Sequence, residues 1–242
     1  MTRTIPVSED FVLALNRTEA PFRPEEAFGR VAPLEIEIGC GKGLFLRSAA
    51  ATRPGHDFIG IEIATKYFKW AARGVEYDGL ENVRLLREEG GYFLERYVRP
   101  ASVARVHLYY PDPWPKRRHR KRRIFDEAFL SLVRSRLVPG GLFFAATDFE
   151  DYWQQMEKVI AGATGMRTVE GEAVWDGWET NFGRKYAREK RSVYRACLER
   201  IPDGGDEGTM DSTGAAGSVG VAGADPSKVE HTANPSERSG PK

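Results

Sequence analysis

An alternation of short apolar segments with helical segments between residues 34 and 161 constrains the fold of this chain more than any other feature. Strands are predicted at residues 34–38, 58–63, 83–86, 103–109 and 142–147, with a last strand at 192–198. Helices are predicted at residues 44–52, 64–77, 126–136 and 151–161, the third ending before Pro139-Gly140-Gly141. Repeated strand–helix units imply an α/β, doubly wound, mostly parallel sheet, in which ligands bind at the carboxyl ends of the strands.

A glycine-rich loop follows the first predicted strand and opens the first predicted helix. Its glycines are Gly39, Gly41 and Gly43, with Glu37 just before them. Glycines let the backbone turn tightly and let a ligand approach it closely. The dinucleotide fingerprint Gly-x-Gly-x-x-Gly needs its third glycine where this chain has Leu44, which counts against a nicotinamide cofactor.

Two further acids follow the next two predicted strands. Glu62 ends the second strand, where a carboxylate can accept hydrogen bonds from both hydroxyls of a ribose. Glu89 lies just after the third strand, where an acid can bond the amino group of adenine. The sequence therefore predicts a nucleoside-like ligand at this edge of the sheet.

The loop after the fourth predicted strand is stiffened by three prolines, because each fixes φ. It reads Tyr-Pro-Asp-Pro-Trp-Pro over residues 110–115 and holds Asp112 at the end of the strand. A basic run, residues 116–123, follows directly as Lys-Arg-Arg-His-Arg-Lys-Arg-Arg. An aromatic residue such as Trp114 beside cations suits base stacking and phosphate binding. We therefore predict that the basic run binds nucleic acid, rather than being a solvated face or a targeting tag.

These motifs resemble two nested protein groups. Gly-x-Gly-x-Gly after an acidic strand end is similar to motif I of class I S-adenosylmethionine-dependent methyltransferases, which have a Rossmann-like fold. Pro-Asp-Pro-Trp-Pro-Lys followed by Arg-His-x-Lys-Arg-Arg resembles the signature of the bacterial tRNA (guanine-N7)-methyltransferase family. The resemblance covers roughly residues 30–198, including Thr147-Asp148 and a late segment at 180–185. It implies transfer of a methyl group from S-adenosylmethionine to N7 of guanine 46 in the tRNA variable loop.

The resemblance also implies the roles of individual residues. Asp112 would be the catalytic residue. The cofactor side of the site would consist of Glu37, Gly39, Gly41, Gly43, Glu62, Glu89 and Asp112. The substrate side would consist of Lys116, Asp148, Thr180, Asn181, Phe182 and Gly183, with the tRNA held by the basic run from Lys116 to Arg123.

The chain departs from the family pattern at two positions. Glu89 stands where the family commonly has Asp, and the carboxylate is retained. Gly183 stands where the family's late motif commonly has Glu, which removes a carboxylate that could bond the guanine edge. The substrate role of Gly183 itself is therefore in doubt, although its backbone could still contribute.

The implied reaction requires mainly that the protein align the reacting groups and supply negative charge near the purine. Guanine N7 carries a lone pair and no proton, so no general base is strictly required. The transition state needs alignment, and a negative group near the purine, because positive charge moves onto the ring. Asp112 suits this role, and Asp148 could anchor the guanine N1–H and amino group.

Three alternatives stay open. Amino-group methyltransferases carry Asp/Asn-Pro-Pro-aromatic at this place, and the present loop lacks the second consecutive proline. A non-catalytic RNA-binding protein on a methyltransferase fold would be consistent with Gly183 and Glu89. An oxidoreductase that uses a nicotinamide cofactor is disfavoured by the glycine spacing and the basic loop.

Composition sets the limits on domains and location. The 242 residues predict an N-terminal extension over 1–30, a methyltransferase domain over 31–200 and a disordered acidic, Gly-rich tail over 201–242. That tail holds seven acids and three bases, so the net charge of +1 conceals a basic body. Two distant cysteines predict neither a disulfide framework nor a metal site. No secretory signal or membrane span is recognisable, so a cytoplasmic monomer or homodimer is expected.

Overall fold

The structure, a computed structural model, describes residues 11–13, 21–171, 175, 180, 183, 188–189 and 191–202. Within these residues strands and helices alternate as predicted. The strands are β1 (Leu34–Ile38), β2 (Asp57–Ile61), β3 (Val83–Leu86), β4 (Val103–Tyr109), β5 (Leu137–Thr147), β6 (Met166–Thr168) and β7 (Tyr194–Arg200). The helices are α1 (Pro24–Phe28), α2 (Leu44–Thr52), α3 (Thr65–Asp78), α4 (Gly90–Tyr97), α5 (Glu127–Arg136) and α6 (Glu150–Ala161).

The strands form one sheet in the order β3-β2-β1-β4-β5-β7-β6. The first five strands in this order run parallel, and β7 runs antiparallel to both β5 and β6. The chain winds outward from β1 to β3 on one side and resumes at β4 on the other. The carboxyl ends of β1 and β4 therefore flank the switch point, where open α/β sheets bind their ligands.

Apolar layers cover both faces of the sheet. Helices α4, α5 and α6 pack Phe93, Val133 and Met156 into one layer, whereas α2 and α3 pack Leu46 and Val75 into the other. Every residue of β1 is buried, as expected of a central parallel strand. The predicted α/β, doubly wound, mostly parallel fold is confirmed.

The element boundaries differ from the prediction where turn residues enter a strand or open a helix. Strand β5 begins at Leu137, five residues before the predicted start, because Leu137 pairs with Val103 before a bulge at Gly140, whose φ is +77°. Strand β2 ends at Ile61, so Glu62 lies beyond the strand. Helix α4 was not predicted, since it opens with two glycines, which are weak helix formers. Helix α1 and strand β6 were not predicted either.

The two chain ends are described only in part. Val12 forms an isolated parallel bridge with Leu85, and Leu13 N donates to Leu85 O at 2.8 Å, so this part of the extension lies along the outer edge of β3. Residues 203–242, which hold most of the predicted tail, lie outside the described residues. None of the helices that the structure describes has the length and apolar character needed to cross a bilayer.

Candidate active site

The glycine-rich loop between β1 and α2 is built on three left-handed residues. Gly39, Gly41 and Gly43 have φ of 74°, 56° and 74°, a region that other residues seldom adopt. Gly39 N and Cys40 N both donate to Ile61 O, at 2.8 and 3.0 Å, which seats the loop across the end of β2. A Cβ on Gly43 would lie 3.1 Å from the Cβ of Ala71 on α3, so a side chain there would be strained and crowded.

Glu62 ties the end of β2 to this loop. One carboxylate oxygen accepts from Gly41 N at 2.9 Å, and the other accepts from Ala64 N at 2.7 Å. Only 8% of Glu62 is exposed. Each carboxylate oxygen can accept more than one hydrogen bond, so the predicted ribose contact remains open to Glu62 while it holds the loop.

Glu37 lies in the same region and is buried with one oxygen unused. Among the described residues nothing hydrogen-bonds its Oε2. Burial, together with the nearby charge of Glu62, raises the pKa of Glu37 to about 8. A buried, unsatisfied carboxylate next to a second carboxylate fits a cationic ligand. S-adenosylmethionine, with its ammonium and sulfonium groups, matches this arrangement.

Glu89 caps helix α4. Its two oxygens accept from Gly91 N at 2.9 Å and from Tyr92 N at 2.6 Å, which satisfies two otherwise unpaired donors of the first turn. Gly90 packs so closely on Ile38 that no Cβ would fit, which brings Glu89 beside the carboxyl end of β1. The adenine contact expected of Glu89 remains a prediction.

The proline-rich loop after β4 holds Asp112 between two residues with unusual backbone angles. Tyr110 and Trp114 have φ of 51° and 41°, and neither is glycine. Such residues cost of order 1–3 kcal/mol each and persist only where the surroundings impose them. Tyr110 N donates to Ala146 O at 2.7 Å, which extends the pairing of β4 with β5 into the loop. Asp112 itself is exposed at the carboxyl edge of the sheet.

Arg123 anchors the loop of Asp112 to helix α6. Its side chain is 1% exposed, and its Nε donates to Pro113 O at 2.8 Å. Its two terminal nitrogens donate to Gln155 Oε1 at 3.0 Å and to Asp151 Oδ2 at 2.5 Å on α6. The guanidinium lies 4.7 Å from the centre of the Tyr152 ring. Arg123 was expected to contact tRNA, and its burial removes it from that surface.

The remainder of the basic run forms a 3₁₀ helix, Arg117–Arg122. Arg120 pairs with Asp151 at 2.7 Å, and this pair keeps the helix against α6. Arg122 lies 4.9 Å from the centre of the Trp114 ring, and His119 meets the same ring edge-on at 5.9 Å between centroids. The run is therefore a folded, largely exposed cationic surface packed on the loop that carries Asp112.

Lys116, predicted for the substrate side, directly precedes the 3₁₀ helix and is exposed. The other residues predicted for the substrate side lie between β5 and β7 along the chain. Asp148 comes directly after β5 and pairs with Arg191 at 2.9 Å. Thr180 is buried, and its hydroxyl accepts from Gly183 N at 2.7 Å. Glycine at position 183 keeps the backbone donor of this turn while offering no carboxylate. Asn181 and Phe182 lie outside the described residues.

The residues that hold the Asp112 loop in place were not predicted from the sequence. Asp151, Tyr152 and Gln155 lie on α6, and none was singled out. The i, i+4 spacing of Asp151 and Gln155 does predict a shared helix face. What that face meets depends on tertiary packing, since Arg123 reaches it from 28 residues away.

Neither cysteine offers reactive chemistry. Both Cys40 and Cys197 are free and buried, and burial raises the pKa of each thiol. Cys40 is thus a small buried residue in the loop, in line with the expectation from sequence.

Within the described ranges, no group of three or more His, Cys, Asp and Glu side chains is arranged to hold a metal ion.

The family comparison decides between the methyltransferase and oxidoreductase readings. Residues 31–196 match the family described as "Putative methyltransferase". The tRNA (guanine-N(7)-)-methyltransferase of Alcanivorax borkumensis is 37% identical over 191 residues, which cover 77% of this chain and 80% of that protein. This chain belongs to the tRNA (guanine-N7)-methyltransferase family.

Further matches agree with that membership. The tRNA (guanine-N(7)-)-methyltransferase of Methylococcus capsulatus is 45% identical over 143 residues, 59% of this chain and 62% of that protein. Among solved structures, the 16S rRNA methyltransferase KamB superposes with a TM-score of 0.51 at 16% identity, covering 74% of this chain and 92% of KamB. At that identity the likeness shows the shared fold alone. The family assignment and the fold both follow the prediction made from the motifs.

Proposed function

We propose that this protein transfers the methyl group of S-adenosylmethionine to N7 of guanine 46 in the variable loop of tRNA. The observation that carries the proposal is the placement of Asp112. It stands on a strained loop at the switch point of the sheet, with the glycine-rich loop on one side and an exposed basic surface on the other. The names of the family's curated members support the reaction, and the variable-loop position rests on the motif resemblance.

The donor side of the site would consist of the glycine loop and three glutamates. S-adenosylmethionine supplies an electrophilic methyl group on a sulfonium. Ionised Glu37, with its unused oxygen, would accept from the ammonium group. Glu62 would accept from the ribose hydroxyls, and Glu89, at the tip of α4, from the adenine amino group. Gly39, Gly41 and Gly43 would leave the backbone open to the ligand.

The acceptor side would hold the guanine and supply negative charge. Asp112 would stabilise the positive charge that develops on the purine, a contribution that is larger in a site that excludes water. Asp148 would accept from the guanine N1–H and amino group, and must then share its carboxylate with Arg191. The segment of Thr180, Asn181, Phe182 and Gly183 would line the same pocket, and Lys116 would hold a phosphate.

Arg123 would act through position rather than contact. Its guanidinium donates to the carbonyl of Pro113, which directly follows Asp112 in the chain. The same group donates to Asp151 and Gln155 on α6. A displacement of about 1 Å in a catalytic group can cost on the order of a hundredfold in rate. Arg123 is therefore a positioning residue for Asp112, while the exposed cations of the run bind phosphates.

The domain organisation stays a proposal alongside the reaction. The catalytic domain would span residues 31–200, with the tail from 201 as an appendage. Truncation after Ile201, followed by measurement of tRNA affinity, tests whether the acidic tail competes with tRNA for the basic surface. A cytoplasmic location would follow from the substrate.

A direct test is incubation of the purified protein with unmodified tRNA and methyl-labelled S-adenosylmethionine. Nuclease digestion and mass spectrometry then identify the methylated nucleoside and its position. We expect 7-methylguanosine at position 46, and no product from a matched tRNA with adenine at that position. Label on N6 or N4 of another base, or the absence of any labelled nucleoside, would contradict the proposal.

A further inference from the structure

Helix α3 carries a stripe of alternating cations and aromatic rings on its outer surface. Lys66, Trp70, Arg73 and Tyr77 follow one another at spacings of four, three and four residues. At about 100° per residue these four positions fall within an arc of roughly 60°, and at about 1.5 Å per residue they extend over roughly 16 Å. Trp70 is 52% exposed and Tyr77 is 89% exposed, Lys66 is also exposed, and Arg73 is half-buried.

The rings of Trp70 and Tyr77 are not part of the hydrophobic core. The buried residues of α3 are Phe68, Ala71, Ala72 and Val75, which pack on the sheet from the opposite side of the helix. Large exposed apolar groups that cluster on one helix face commonly mark a binding surface. The position of Lys66 supports this reading, because a cation in the first turn opposes the helix dipole and is not expected for helix stability.

The stripe reaches the active site through Lys42. This residue belongs to the glycine-rich loop, and its Nζ lies 4.9 Å from the centre of the Trp70 ring. Asp78, at the border of the stripe, is bonded to Arg47 Nε at 2.6 Å. The surface is therefore cationic and aromatic from the cofactor loop outward. Of the two acids at its borders, Asp78 is paired with Arg47, and Glu76 is exposed.

We propose that this stripe is a second contact surface for the tRNA, on which bases of unpaired nucleotides stack on Trp70 and Tyr77 while Lys42 and Lys66 hold their phosphates. Aromatic rings interleaved with cations are how proteins bind single-stranded nucleic acid. The inference rests on the proposed function, because it assigns a further surface to the same substrate.

The topology brings the first turn of α3 and the loop of Asp112 to the same edge of the sheet, although α3 and the basic run pack over opposite faces of it. Helix α3 starts at the carboxyl end of β2, and the loop of Asp112 starts at the carboxyl end of β4, with only β1 between these strands. Neighbouring strands are about 4.8 Å apart, so the two strand ends are roughly 10 Å apart. One tRNA bound over Asp112 can therefore reach α3.

A second copy of this chain fits the stripe less well than a polyanion does. A two-fold interface brings the same patch of both subunits together, so it must be self-complementary. Two copies of the stripe would bring the cations of both subunits together, and none of the four stripe residues is an acid. Phosphates supply the charge that the stripe lacks.

The test measures the affinity of the full-length protein for unmodified tRNA with Trp70 replaced by Ala, Leu or Phe. Loss of one stacked base corresponds to about fivefold weaker binding or more. We expect this loss for Trp70→Ala and for Trp70→Leu, which keeps the apolar bulk but not the ring face. Trp70→Phe should retain most of the affinity. Binding of S-adenosylmethionine and the melting temperature should stay at the wild-type level in all three.

A charge variant gives an independent measurement. Lys66→Ala should lower the slope of log affinity against log salt by about one, the amount expected for one lost phosphate contact. Lys158→Ala is the matched control, because Lys158 is exposed near the far end of α6, and its slope should be unchanged.

The outcomes separate the possible failures. Wild-type tRNA affinity in Trp70→Ala and Trp70→Leu, with an unchanged slope in Lys66→Ala, would overturn the inference while leaving the methylation intact. A change in sedimentation that depends on Trp70 in the absence of tRNA, without a change in tRNA affinity, would overturn it in favour of self-association. Binding of tRNA through the stripe without methylation at N7 would support the inference and contradict the proposed function.

Discussion

The donor half and the acceptor half of the site are built in opposite ways. On the donor side, carboxylates accept hydrogen bonds from the backbone: the buried Glu62 bonds the loop at Gly41, and the exposed Glu89 caps α4. On the acceptor side the cations are largely exposed, and the buried side chain of Arg123 bonds the loop that precedes them. A small ligand can be enclosed by a rigid pocket, whereas a large polyanion needs an open charged surface with one well-placed group.

The two halves should also fail differently when mutated. Changes on the donor side should alter cofactor affinity. Changes on the acceptor side should separate into those that alter turnover and those that alter tRNA affinity. Four predictions test this division.

Replacement of Asp112 should have the largest effect. We expect Asp112→Ala to lower kcat about a hundredfold or more, because the variant removes the charge that opposes the positive charge developing on guanine. Single-turnover rates at saturating tRNA and cofactor measure this step. Asp112→Asn keeps the shape without the charge and should also be slow. Turnover at the wild-type rate in either variant would show that Asp112 is not the catalytic group.

Loss of the buried anchor should come next. Arg123→Ala should lower kcat by about ten- to a hundredfold through displacement of the loop, with little change in KM for tRNA. Arg117→Ala, an exposed neighbour in the same run, is the matched control and should raise KM instead. Because Arg123→Ala removes a buried side chain and one of the two cations paired with Asp151, melting temperatures must accompany the kinetics.

If Arg123→Ala is unstable, Asp151→Asn tests the same Arg123–Asp151 contact in a variant that keeps the buried arginine. It weakens the same contact from the half-exposed side of α6. It should reproduce the kcat defect in milder form. A rise in KM with unchanged kcat in both variants would assign Arg123 to tRNA binding and contradict a positioning role.

The pH dependence of cofactor binding tests the donor half. The pKa of Glu37 is raised from 4.5 to about 8 by burial, so the free protein holds this group protonated near pH 6. The ammonium of the cofactor needs it ionised. Affinity should therefore increase as pH rises from 6 toward 8, by up to about tenfold per unit, with proton release on binding.

Calorimetry in two buffers of different ionisation enthalpy measures that proton directly. Glu37→Gln should bind more weakly and lose the pH dependence. The same raised pKa means that the free wild-type protein loses stability as pH rises from 4.5 toward 8, since the folded state holds the proton more tightly. A wild-type affinity that is flat across this range would show that Glu37 does not meet the ammonium.

The smallest effect should come from a single exposed cation. Lys116→Ala should weaken tRNA binding a few-fold and lower the salt slope by about one. Arg123→Ala, buried in the same basic run, should leave the slope unchanged. Equal slopes in Lys116→Ala and the wild type would remove Lys116 from the phosphate-binding set.

Much of the fold could be predicted because its pattern is local. Strands β1, β3 and β4 and helix α2 match their predicted bounds, since each is an uninterrupted apolar or helical segment between turn residues. Helix α4 and the start of β5 could not be predicted. In both, glycines that usually mark turns are incorporated into regular structure by contacts with distant residues, such as Gly90 on Ile38.

The candidate site divides along the same line. The residue types of the site and their order follow from the sequence: three glycines come after the first strand, an acid comes after each of the next two strands, and Asp112 directly precedes a basic segment. This order predicts one site because parallel strands bring their carboxyl ends to one edge whatever the loops do. Which members of the basic run face solvent, and which one is buried, depends on the packing of distant parts of the chain. Arg123 is buried because Asp151 and Gln155, brought near by the packing of α6, replace the water that an isolated guanidinium would need.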